Sequence, residues 1–505
     1  MTMKNILKNI LLGGFTLAVV LSCDLDLKPT TSIVFDEETP IIQSQSDIDG
    51  LYYGVLASYR AVQYGVYTQS SEVMCDGFNA LIGFGNNYGS IHRTDESFTT
   101  GDSYVESMWA SHYSAIKNYN IAIEQAETVT DEALKPYADL LTGTAMFCRA
   151  YSYLTLARHF GPAYDPDTAE EDLCVPLILV YDQSAKPKRA TMMEVYDQIG
   201  WDLDDAYDLL EYLEYQGAPG YYFVSLDAIN ALRARYCLDI QDYDNAADYA
   251  KDIIDSGIYA LSKNANEMDA EYLYDSGSEA IQQLYASPNE GLVSNGIYTQ
   301  VSSDRKGKYF QPYYIPSQKL VGAYETSDLR FQKWFSSNKY PVFTNGTRYN
   351  GIYTFIKYYD NPNLRTGQLE TGAHAAKPFM LGEMYLIAAE ALFKDQKPGH
   401  QAKMMLNKLQ EARKATPTDG SWENIKKEWF KETVGEGLRM SCLKRWGEGY
   451  EGRPYQPKAE EIVMTGPYFE ERVMEATDRA FVWPVPSYEL KLNKNLVQND
   501  GYGSK

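Results

Sequence analysis

Cysteine, histidine and positive charge are scarce in this chain of 505 residues, and each shortage excludes a class of protein. The six cysteines form no C-x-x-C pair and the five histidines occur at no zinc-finger spacing, so neither a disulfide framework nor a zinc site is indicated. Lysine and arginine total 46 against 69 acidic residues, which gives a net charge of -23. This charge argues against a surface that follows nucleic-acid phosphates, so no nucleic-acid partner is expected.

The motifs of common catalytic sites are also missing. The chain contains no H-E-x-x-H, G-x-S-x-G or P-loop, and Gly83, Gly85 and Gly89 do not have the G-x-G-x-x-G spacing. A pair of carboxylates for glycoside hydrolysis is defined by its separation in space, so a count of acidic residues cannot identify one. The sequence therefore predicts no enzyme, no cofactor and no metal site, with a hydrolase as an alternative left open.

A single apolar run, Ile10–Leu21, follows two lysines near the N-terminus. It is shorter than the ~20 residues that a membrane-spanning helix needs, and it has the form of a signal peptide. It ends in Val20-Leu21-Ser22-Cys23, which resembles a bacterial lipobox. We predict a signal peptide over residues 1–22, lipidation of Cys23 and a tether over residues 23–45, with a plain secretory signal as the alternative.

Apolar residues at helical spacing predict a mostly α scaffold. The pattern begins near Ile48, returns around Trp109 and Phe147, and continues over residues 192–214. Two helix pairs, over residues 225–256 and 381–412, carry alanines at their contact positions, as tetratricopeptide-type hairpins do. On the helix over residues 192–214, the acidic residues Asp202, Asp204 and Asp205 are interpreted as a solvated face. Cys148 and Cys237 lie among apolar neighbours in other helical patterns and are interpreted as small core residues.

Two segments interrupt the helices. Residues 65–104 are rich in glycine and aromatic residues, and residues 285–375 are rich in tyrosine, glycine, asparagine and proline. Both are predicted as loop-rich insertions, the second with short strands, in a single domain over residues 46–505. The 43 tyrosines suggest contact surfaces in addition to a core.

A series of short motifs is spread over nearly all of the mature chain. The pieces are Arg149-Ala150-Tyr151, Asp328-Leu329-Arg330, Gly382-Glu383-Met384-Tyr385 through Ala391, Leu443-Lys444-Arg445-Trp446-Gly447 and Trp483-Pro484-Val485-Pro486. In this order they resemble the SusD-like (RagB/SusD) outer-membrane nutrient-binding lipoproteins of Bacteroidetes. Cys442 departs from the pattern, because the family usually has aspartate there.

The resemblance implies a fold and a function. The fold is mostly α, with about four tetratricopeptide-like helix pairs, and the motifs of Trp109 and Trp446 belong to that scaffold. From the resemblance we expect a cell-surface lipoprotein of the outer membrane, anchored through Cys23 and seated on a SusC-like TonB-dependent transporter. We expect it to bind oligosaccharides, or less often peptides, without catalysis. Another class of function left open is a helical-repeat assembly factor of the cell envelope.

The resemblance also suggests where a ligand binds, namely where the loop after the first helix meets the central insertion. Aromatic rings there can cover the apolar faces of a sugar while polar side chains bond its hydroxyl groups. The candidates are Asp76, Phe78, Asn79, Phe84, Asn87 and Tyr88 in the first segment and Tyr298, Arg305, Tyr309 and Trp334 in the second. For each residue, packing within its own loop is the alternative.

Overall fold

The computed structural model describes residues 41–289 and 293–503. The predicted signal peptide, Cys23 and residues 23–40 of the predicted tether lie outside these residues. From Ser44 onward the chain forms one compact unit.

Helices make up most of the ordered elements, as predicted. They are α1 (Gln45–Ala61), α2 (Val66–Met74), α3 (Gly89–Arg93), α4 (Ser103–Glu127), α5 (Lys135–Phe160), α6 (Met192–Tyr212), α7 (Leu226–Asp239), α8 (Tyr243–Asp255), α9 (Ala265–Tyr272), α10 (Gly296–Thr299), α11 (Gln318–Val321), α12 (Leu329–Trp334), α13 (Leu381–Lys394), α14 (Gly399–Ala412), α15 (Trp422–Glu432), α16 (Arg439–Trp446) and α17 (Ser487–Leu492). None of the helices in these described ranges is both long enough and apolar enough to cross a membrane.

The longest helices form the scaffold. Helices α4 to α8 pack in chain order, α13 packs on α8, α14 packs on α13, and α1 covers α4 and α5. Capping residues mark the start of several helices. The Asp102 carboxylate accepts hydrogen bonds from N–H groups in the first turn of α4, and Thr191 and Glu194 form a capping box on α6. Buried alanines such as Ala250 and Ala388 let α8 and α13 approach closely. The predicted mostly α scaffold is therefore confirmed.

The strands are short and lie mainly in the central insertion. They are β1 (Phe78–Ala80), β2 (Ala280–Gln282), β3 (Val293–Ser294), β4 (Val301–Asp304), β5 (Gly307–Phe310), β6 (Tyr314–Pro316), β7 (Phe335–Ser336), β8 (Val342–Thr344), β9 (Thr347–Tyr349), β10 (Thr354–Phe355), β11 (Ala373–His374), β12 (Phe379–Met380), β13 (Tyr450–Glu451) and β14 (Val473–Met474). Strands β4, β5, β8 and β9 form a sheet in that order, and only β5 and β8 pair in parallel within it.

The first insertion contains more helix than its composition predicts. Helix α2 lies inside the segment predicted to be loop-rich, and its buried side includes Gln69, Ser70, Ser71 and Glu72. Polar residues on a buried face hide the apolar periodicity from which a helix is recognised. The loop-rich prediction for residues 65–104 did not foresee α2.

The acidic face predicted on α6 is only partly solvated. Asp202 is buried, and the Arg149 guanidinium donates two hydrogen bonds to it at 2.9 and 2.7 Å. Arg149 also donates to Asn120 of α4, so these side chains link three helices. Asp204 lies on the exposed side, where it pairs with Arg233. The interpretation as a solvated face is wrong for Asp202, because an acidic residue at helical spacing can sit on either face.

The cysteines behave as small core residues. Cys75, Cys148, Cys174, Cys237 and Cys442 are all buried and form no disulfide with one another. This confirms the interpretation of Cys148 and Cys237. Among the described residues, no cluster of histidine, cysteine, aspartate or glutamate has the arrangement of a metal site.

A buried charge network joins the central insertion to the scaffold. Arg413, at the end of α14, donates to both carboxylate oxygens of Glu279 at 2.7 Å and also pairs with Glu432 of α15. Glu432 in turn pairs with Arg330 of α12 at 2.8 Å, and Arg330 donates to Asp328. We refer to these residues, together with Glu428 and Lys431, as the buried charge network.

The electrostatics of this network favour its charged form. Burial alone raises the pKa of a carboxylic acid, but the nearby Arg413 and Arg330 outweigh burial and lower the pKa of Glu432 to about 2. Burial alone lowers the pKa of Arg413, but the nearby Glu279 and Glu432 outweigh burial and raise it. The charged form is thus favoured for Arg413 as well. Glu432 and Arg413 are therefore both charged at neutral pH, and each depends on the other as its counter-charge.

Replacement of Arg413 by methionine is expected to destabilise the protein by about 3–5 kcal/mol, because Glu279 would lose its buried counter-charge. Urea unfolding at pH 7 measures the change. Lys251→Met, which removes a partly exposed ion pair with Asp248, should change the free energy of unfolding by less than about 1 kcal/mol. Equal stability of Arg413→Met and Lys251→Met would contradict a structural role for the network.

Helix α2 supplies a pH-dependent contribution to stability. Burial raises the pKa of Glu72 to about 7, although its carboxylate accepts the Gly437 N–H at 2.8 Å. Between about pH 4.3, where glutamate titrates in an unfolded chain, and pH 7, the folded protein holds a proton that the unfolded chain releases. The contribution of Glu72 to stability is therefore complete at low pH and is lost as pH rises through this window.

Glu72→Gln removes this titration. Between pH 5 and 7 the free energy of unfolding of the parent should therefore fall more steeply with rising pH than that of the variant. The difference between the two slopes should be at most about 1.4 kcal/mol per pH unit. Urea unfolding at pH 5, 6 and 7 gives both slopes. Glu132→Gln, at an exposed position, is the matched control and should keep the parent slope. Identical slopes for Glu72→Gln and the parent would show that Glu72 is ionised throughout this range.

Candidate functional site

The two insertions meet through a pair of short strands. Strand β1 of the first insertion pairs antiparallel with β6 of the second, with Asn79 opposite Ile315. Beyond the strand, the Leu81 N–H donates to the Tyr313 carbonyl at 2.9 Å. The loop after β1 is therefore held against the central insertion, as the predicted site location requires.

A tight hairpin approaches the same place. Strands β8 and β9 are joined by Asn345 and Gly346, whose φ values are 49° and 77°. Two consecutive residues with positive φ are typical of a type I′ turn, and Asn-Gly is the pair that adopts it most readily. The hairpin presents the exposed Asn345 side chain at the edge of the sheet.

A groove with a volume of about 380 Å³ lies between these parts, and we name it the junction groove. It is lined by Gly83, Gln300, Gln311, Pro312, Tyr313, Phe343, Thr344, Asn345 and Gly346. Amide and hydroxyl groups alternate there with two aromatic rings, and none of these nine residues is acidic or a histidine. Such a surface can bond hydroxyl groups and cover an apolar face of a ligand.

The walls of the junction groove are supported from behind. The Phe343 ring lies 4.6 Å from the Tyr309 ring between centroids, and the Arg348 guanidinium lies 4.9 Å from the Tyr309 centroid. Gln311 accepts a hydrogen bond from Ser302 at 2.8 Å, which orients its amide group. A Cβ atom at Gly83 would lie 3.1 Å from the Thr344 hydroxyl oxygen, so glycine allows this close approach of the two insertions.

Four of the predicted ligand residues are buried. Phe78 packs on Tyr298 with ring centroids 4.6 Å apart, Asn79 donates its amide to the Arg453 carbonyl, and Trp334 has Lys357 Nζ 4.0 Å from its ring centroid. Each of the four exposes at most 1% of its surface. A side chain without exposed area cannot stack on a ligand, so direct contact by Phe78, Asn79, Tyr298 and Trp334 is corrected to a core role.

Asp76 is a fifth buried candidate. Its carboxylate accepts two hydrogen bonds from Arg439 at 2.9 and 3.0 Å and pairs with Lys319 at 2.5 Å. Burial raises the pKa of Asp76, but these two cations outweigh burial and hold it well below its usual value. Because its oxygens are used inside the protein, the predicted ligand role of Asp76 is likewise corrected to a structural one.

The other candidates lie nearer the surface. Phe84 is nearly buried against Tyr314, and Tyr88 stacks on Tyr104 with centroids 4.4 Å apart, so both support the loop beside the groove. Asn87 is half-buried and donates to the Phe84 carbonyl at 2.6 Å.

In the central insertion, Tyr309 lies behind Phe343, and Arg305 is exposed in the turn between β4 and β5. For Phe84, Asn87, Tyr88, Arg305 and Tyr309, contact with a ligand remains a prediction.

Sequence reasoning missed the residues that line the junction groove. Asn345-Gly346 was a readable signal, because this pair between two short alternating runs predicts a hairpin whose turn projects from a sheet. Gln311 and Tyr313 carry no comparable local signal. Their place in the groove follows from the β1–β6 pairing, which joins residues more than 200 positions apart.

A separate cavity of about 70 Å³ lies between the start of α2 and the turn before it, α5, α7 and residues 435–441. Arg158, Arg235, Lys377 and Glu436 are among its lining residues. Its size suits a few water molecules rather than a sugar ring. The junction groove is therefore the better candidate for a nutrient site.

Two family models match the chain in succession. Residues 25–238 match a SusD-like model described as starch-binding and associating with the outer membrane, and residues 265–502 match the model of the SusD family. The chain belongs to the SusD family. The resemblance in its motifs is thereby confirmed.

Relatives of this SusD-family chain match it over almost its whole length. SusD-like protein P2 of Formosa agariphila is 25% identical over 92% of this chain and 96% of that protein. A SusD superfamily protein of Bacteroides thetaiotaomicron has a TM-score of 0.75 at 22% identity, over 90% of this chain and 99% of that one. A putative sugar-binding protein of Bacteroides vulgatus has a TM-score of 0.73 at 24% identity, over 92% and 100%. At these identities the solved structures establish a shared fold.

The motifs that identify the SusD family occupy the interior. Asp328 and Arg330 belong to the buried charge network, Glu383 accepts two hydrogen bonds from Arg235, and Trp446 donates its indole N–H to Glu390 at 2.9 Å. The predicted scaffold role of the Trp446 motif agrees with this contact. These motif residues of the chain therefore maintain the fold, while the junction groove is lined by other positions.

Proposed function

We propose that this SusD-family protein binds oligosaccharides or polysaccharides in the junction groove at the cell surface and delivers them to a SusC-like TonB-dependent transporter. The observation that carries the proposal is the lining of the groove, in which Tyr313 and Phe343 lie among the amide groups of Gln300, Gln311 and Asn345. A pyranose ring offers apolar C–H faces and a rim of hydroxyl groups, and this lining complements both.

The family context supports the same ligand class. One solved relative is named a putative sugar-binding protein, and another, from Bacteroides fluxus, is named surface glycan-binding protein A, with a TM-score of 0.67 at 21% identity over 90% of this chain and 99% of that one. The groove lining contains no aspartate or glutamate, the residues that most glycoside hydrolases use in pairs, and this supports binding without cleavage. Residues 1–23 supply the lipoprotein signal and the cysteine for an outer-membrane anchor.

Binding can be tested on the mature chain, residues 23–505, with Cys23 replaced by serine to prevent lipidation. The ligands are maltohexaose, laminarihexaose, xylohexaose and mannohexaose. Calorimetric titration measures the binding of each, and the sugars are then analysed for cleavage products. We expect saturable binding of one class with a Kd between about 1 µM and 1 mM and no cleavage. Product formation would contradict a binding protein, and binding of peptides instead of sugars would contradict the ligand class.

Two groove variants test the site itself. Phe343→Ala removes a ring, and Asn345→Asp removes the amide donors while keeping a residue that suits the turn. Each should weaken binding about threefold to tenfold, as expected for one aromatic contact or one hydrogen bond. Asn266→Asp, at an exposed position of α9, is the control and should bind as the parent does. Parent-like affinity in both groove variants would place the site elsewhere.

The anchor is tested in cells with the full chain. Cys23→Ala should move the protein from the detergent phase to the aqueous phase in Triton X-114 partitioning, because the acyl chains would be lost. Ser22→Ala keeps Cys23 and should remain in the detergent phase. A Cys23→Ala protein that has lost residues 1–22 and still partitions with the detergent would disprove lipid anchoring at this residue. Copurification of the parent with a TonB-dependent transporter tests the delivery partner.

A further inference from the structure

A group of exposed aromatic side chains forms a second groove, which shares no residue with the junction groove. We define the tyrosine cluster as Tyr53 of α1, Tyr222 and Phe223 of the loop between α6 and α7, and Tyr285 of the segment after β2. The groove between them has a volume of about 470 Å³. The remaining lining residues are Leu56, Ala57, Arg60 and Leu284.

The rings of the tyrosine cluster are unusually open to solvent. Tyr53, Tyr222 and Tyr285 expose 59%, 44% and 53% of their surfaces. Their neighbours fix them in place, since the Tyr222 centroid lies 4.2 Å from Phe223 and 6.0 Å from Tyr285, and Tyr53 packs edge-on against the buried Tyr52. Contiguous exposed aromatic surface of this kind marks a binding site more often than isolated exposed rings do.

Hydrogen bonds from the scaffold hold the loops that carry these rings. Buried Gln282 of β2 donates to the Phe223 carbonyl at 3.2 Å and accepts from Tyr59 of α1 at 3.0 Å. Arg60 of α1 donates to the Tyr285 carbonyl at 3.1 Å. Each of the three chain segments in the tyrosine cluster is therefore tied to another, and the rings form a prearranged set.

Helix α1 leaves the flank of Tyr53 free. Gly50 and Gly54 lie beside it, and a Cβ atom added at either would meet no atom within 4 Å. Glycine within a helix costs about 1 kcal/mol relative to alanine. Since neither glycine is needed for packing inside the chain, their effect is to leave the approach to the Tyr53 ring open.

The chemistry of this groove fits a carbohydrate chain better than a protein surface. Its eight lining residues include no acidic residue, although the chain carries 69 of them. Tyrosine rings combine an apolar face with a hydroxyl group at the edge, as a sugar ring requires of its partner. A stable protein interface buries about 800 Å² on each partner, which eight residues around one groove cannot provide alone.

We propose that the tyrosine cluster is a second carbohydrate-binding site, which contacts a glycan independently of the junction groove. This inference rests on the carbohydrate ligand class of the proposed function but not on the junction groove being its site. Two binding surfaces on one chain would let a long glycan be retained when either contact opens, because the second contact then forms at a high effective concentration.

The test is affinity electrophoresis of the mature chain with Cys23→Ser in gels that contain amylopectin, laminarin, xylan or glucomannan. Tyr53→Ala combined with Tyr285→Ala removes two rings, and Ala57→Trp fills the groove without removing any. Both variants should weaken retardation about tenfold or more in the gel that retards the parent, as the loss of two aromatic contacts predicts. Tyr212→Ala, which removes an 80%-exposed ring from α6, is the matched control and should migrate as the parent does. Thermal unfolding of each variant verifies its fold.

The outcomes separate this site from the junction groove. Weaker retardation in the cluster variants, with a further loss when Phe343→Ala is added, supports two sites. If only Phe343→Ala reduces retardation, the proposed function stands and the second site is wrong. If only the cluster variants reduce it, the second site stands and the junction groove is wrong. A parent that binds no polysaccharide in the panel overturns both. Loss of transporter copurification in the cluster variants, with unchanged retardation, overturns the second site in favour of a protein-docking surface.

Discussion

The buried charge network is the constraint on which the meeting of insertion and scaffold depends. Removal of a carboxylate from water costs free energy unless a cation lies beside it. Glu279, Glu432 and Asp328 are therefore stable in the interior only when they pair with Arg413 and Arg330. These partners lie on α12, α14, α15 and the residue before β2. The insertion can therefore satisfy its buried charges only in one position relative to the helices, and that position carries the β8–β9 hairpin to the junction groove.

The cost of an unpaired buried charge also explains why the motifs of this chain identify its family more clearly than they identify its ligand. Arg149 with Asp202, Arg235 with Glu383, and Arg439 with Asp76 are all buried pairs that connect separate elements. Replacing one member leaves its partner charged and buried, so such residues are tightly coupled to the fold. The proposed ligand contacts instead lie on loops at the surface, which can vary without disturbing these pairs.

Both grooves follow one chemical pattern on different elements. The junction groove surrounds two rings with amide groups, whereas the tyrosine cluster uses the hydroxyl groups of the rings themselves. In a chain with a net charge of -23, the absence of acidic residues from both linings separates these surfaces from the general exterior. In each case the rigid helices and buried hydrogen bonds hold the rings, so little order remains to be gained when a ligand binds.

The sequence by itself determined the helical scaffold and the family, because helix periodicity, N-caps such as Asp102 and ordered motifs are local features. The meeting of the two insertions was expected only from the resemblance to the family. Tertiary structure alone decided which side chains face solvent there: Phe78 is buried by Tyr298, Asp76 by Arg439, and Asp202 by Arg149, each across a long stretch of chain. Helix α2 escaped prediction for the same reason, since Ser71 and Glu72 on its buried face bond His159 and Gly437, which are distant in the sequence. Exposure depends on which distant segments pack together, and composition does not encode that pairing locally.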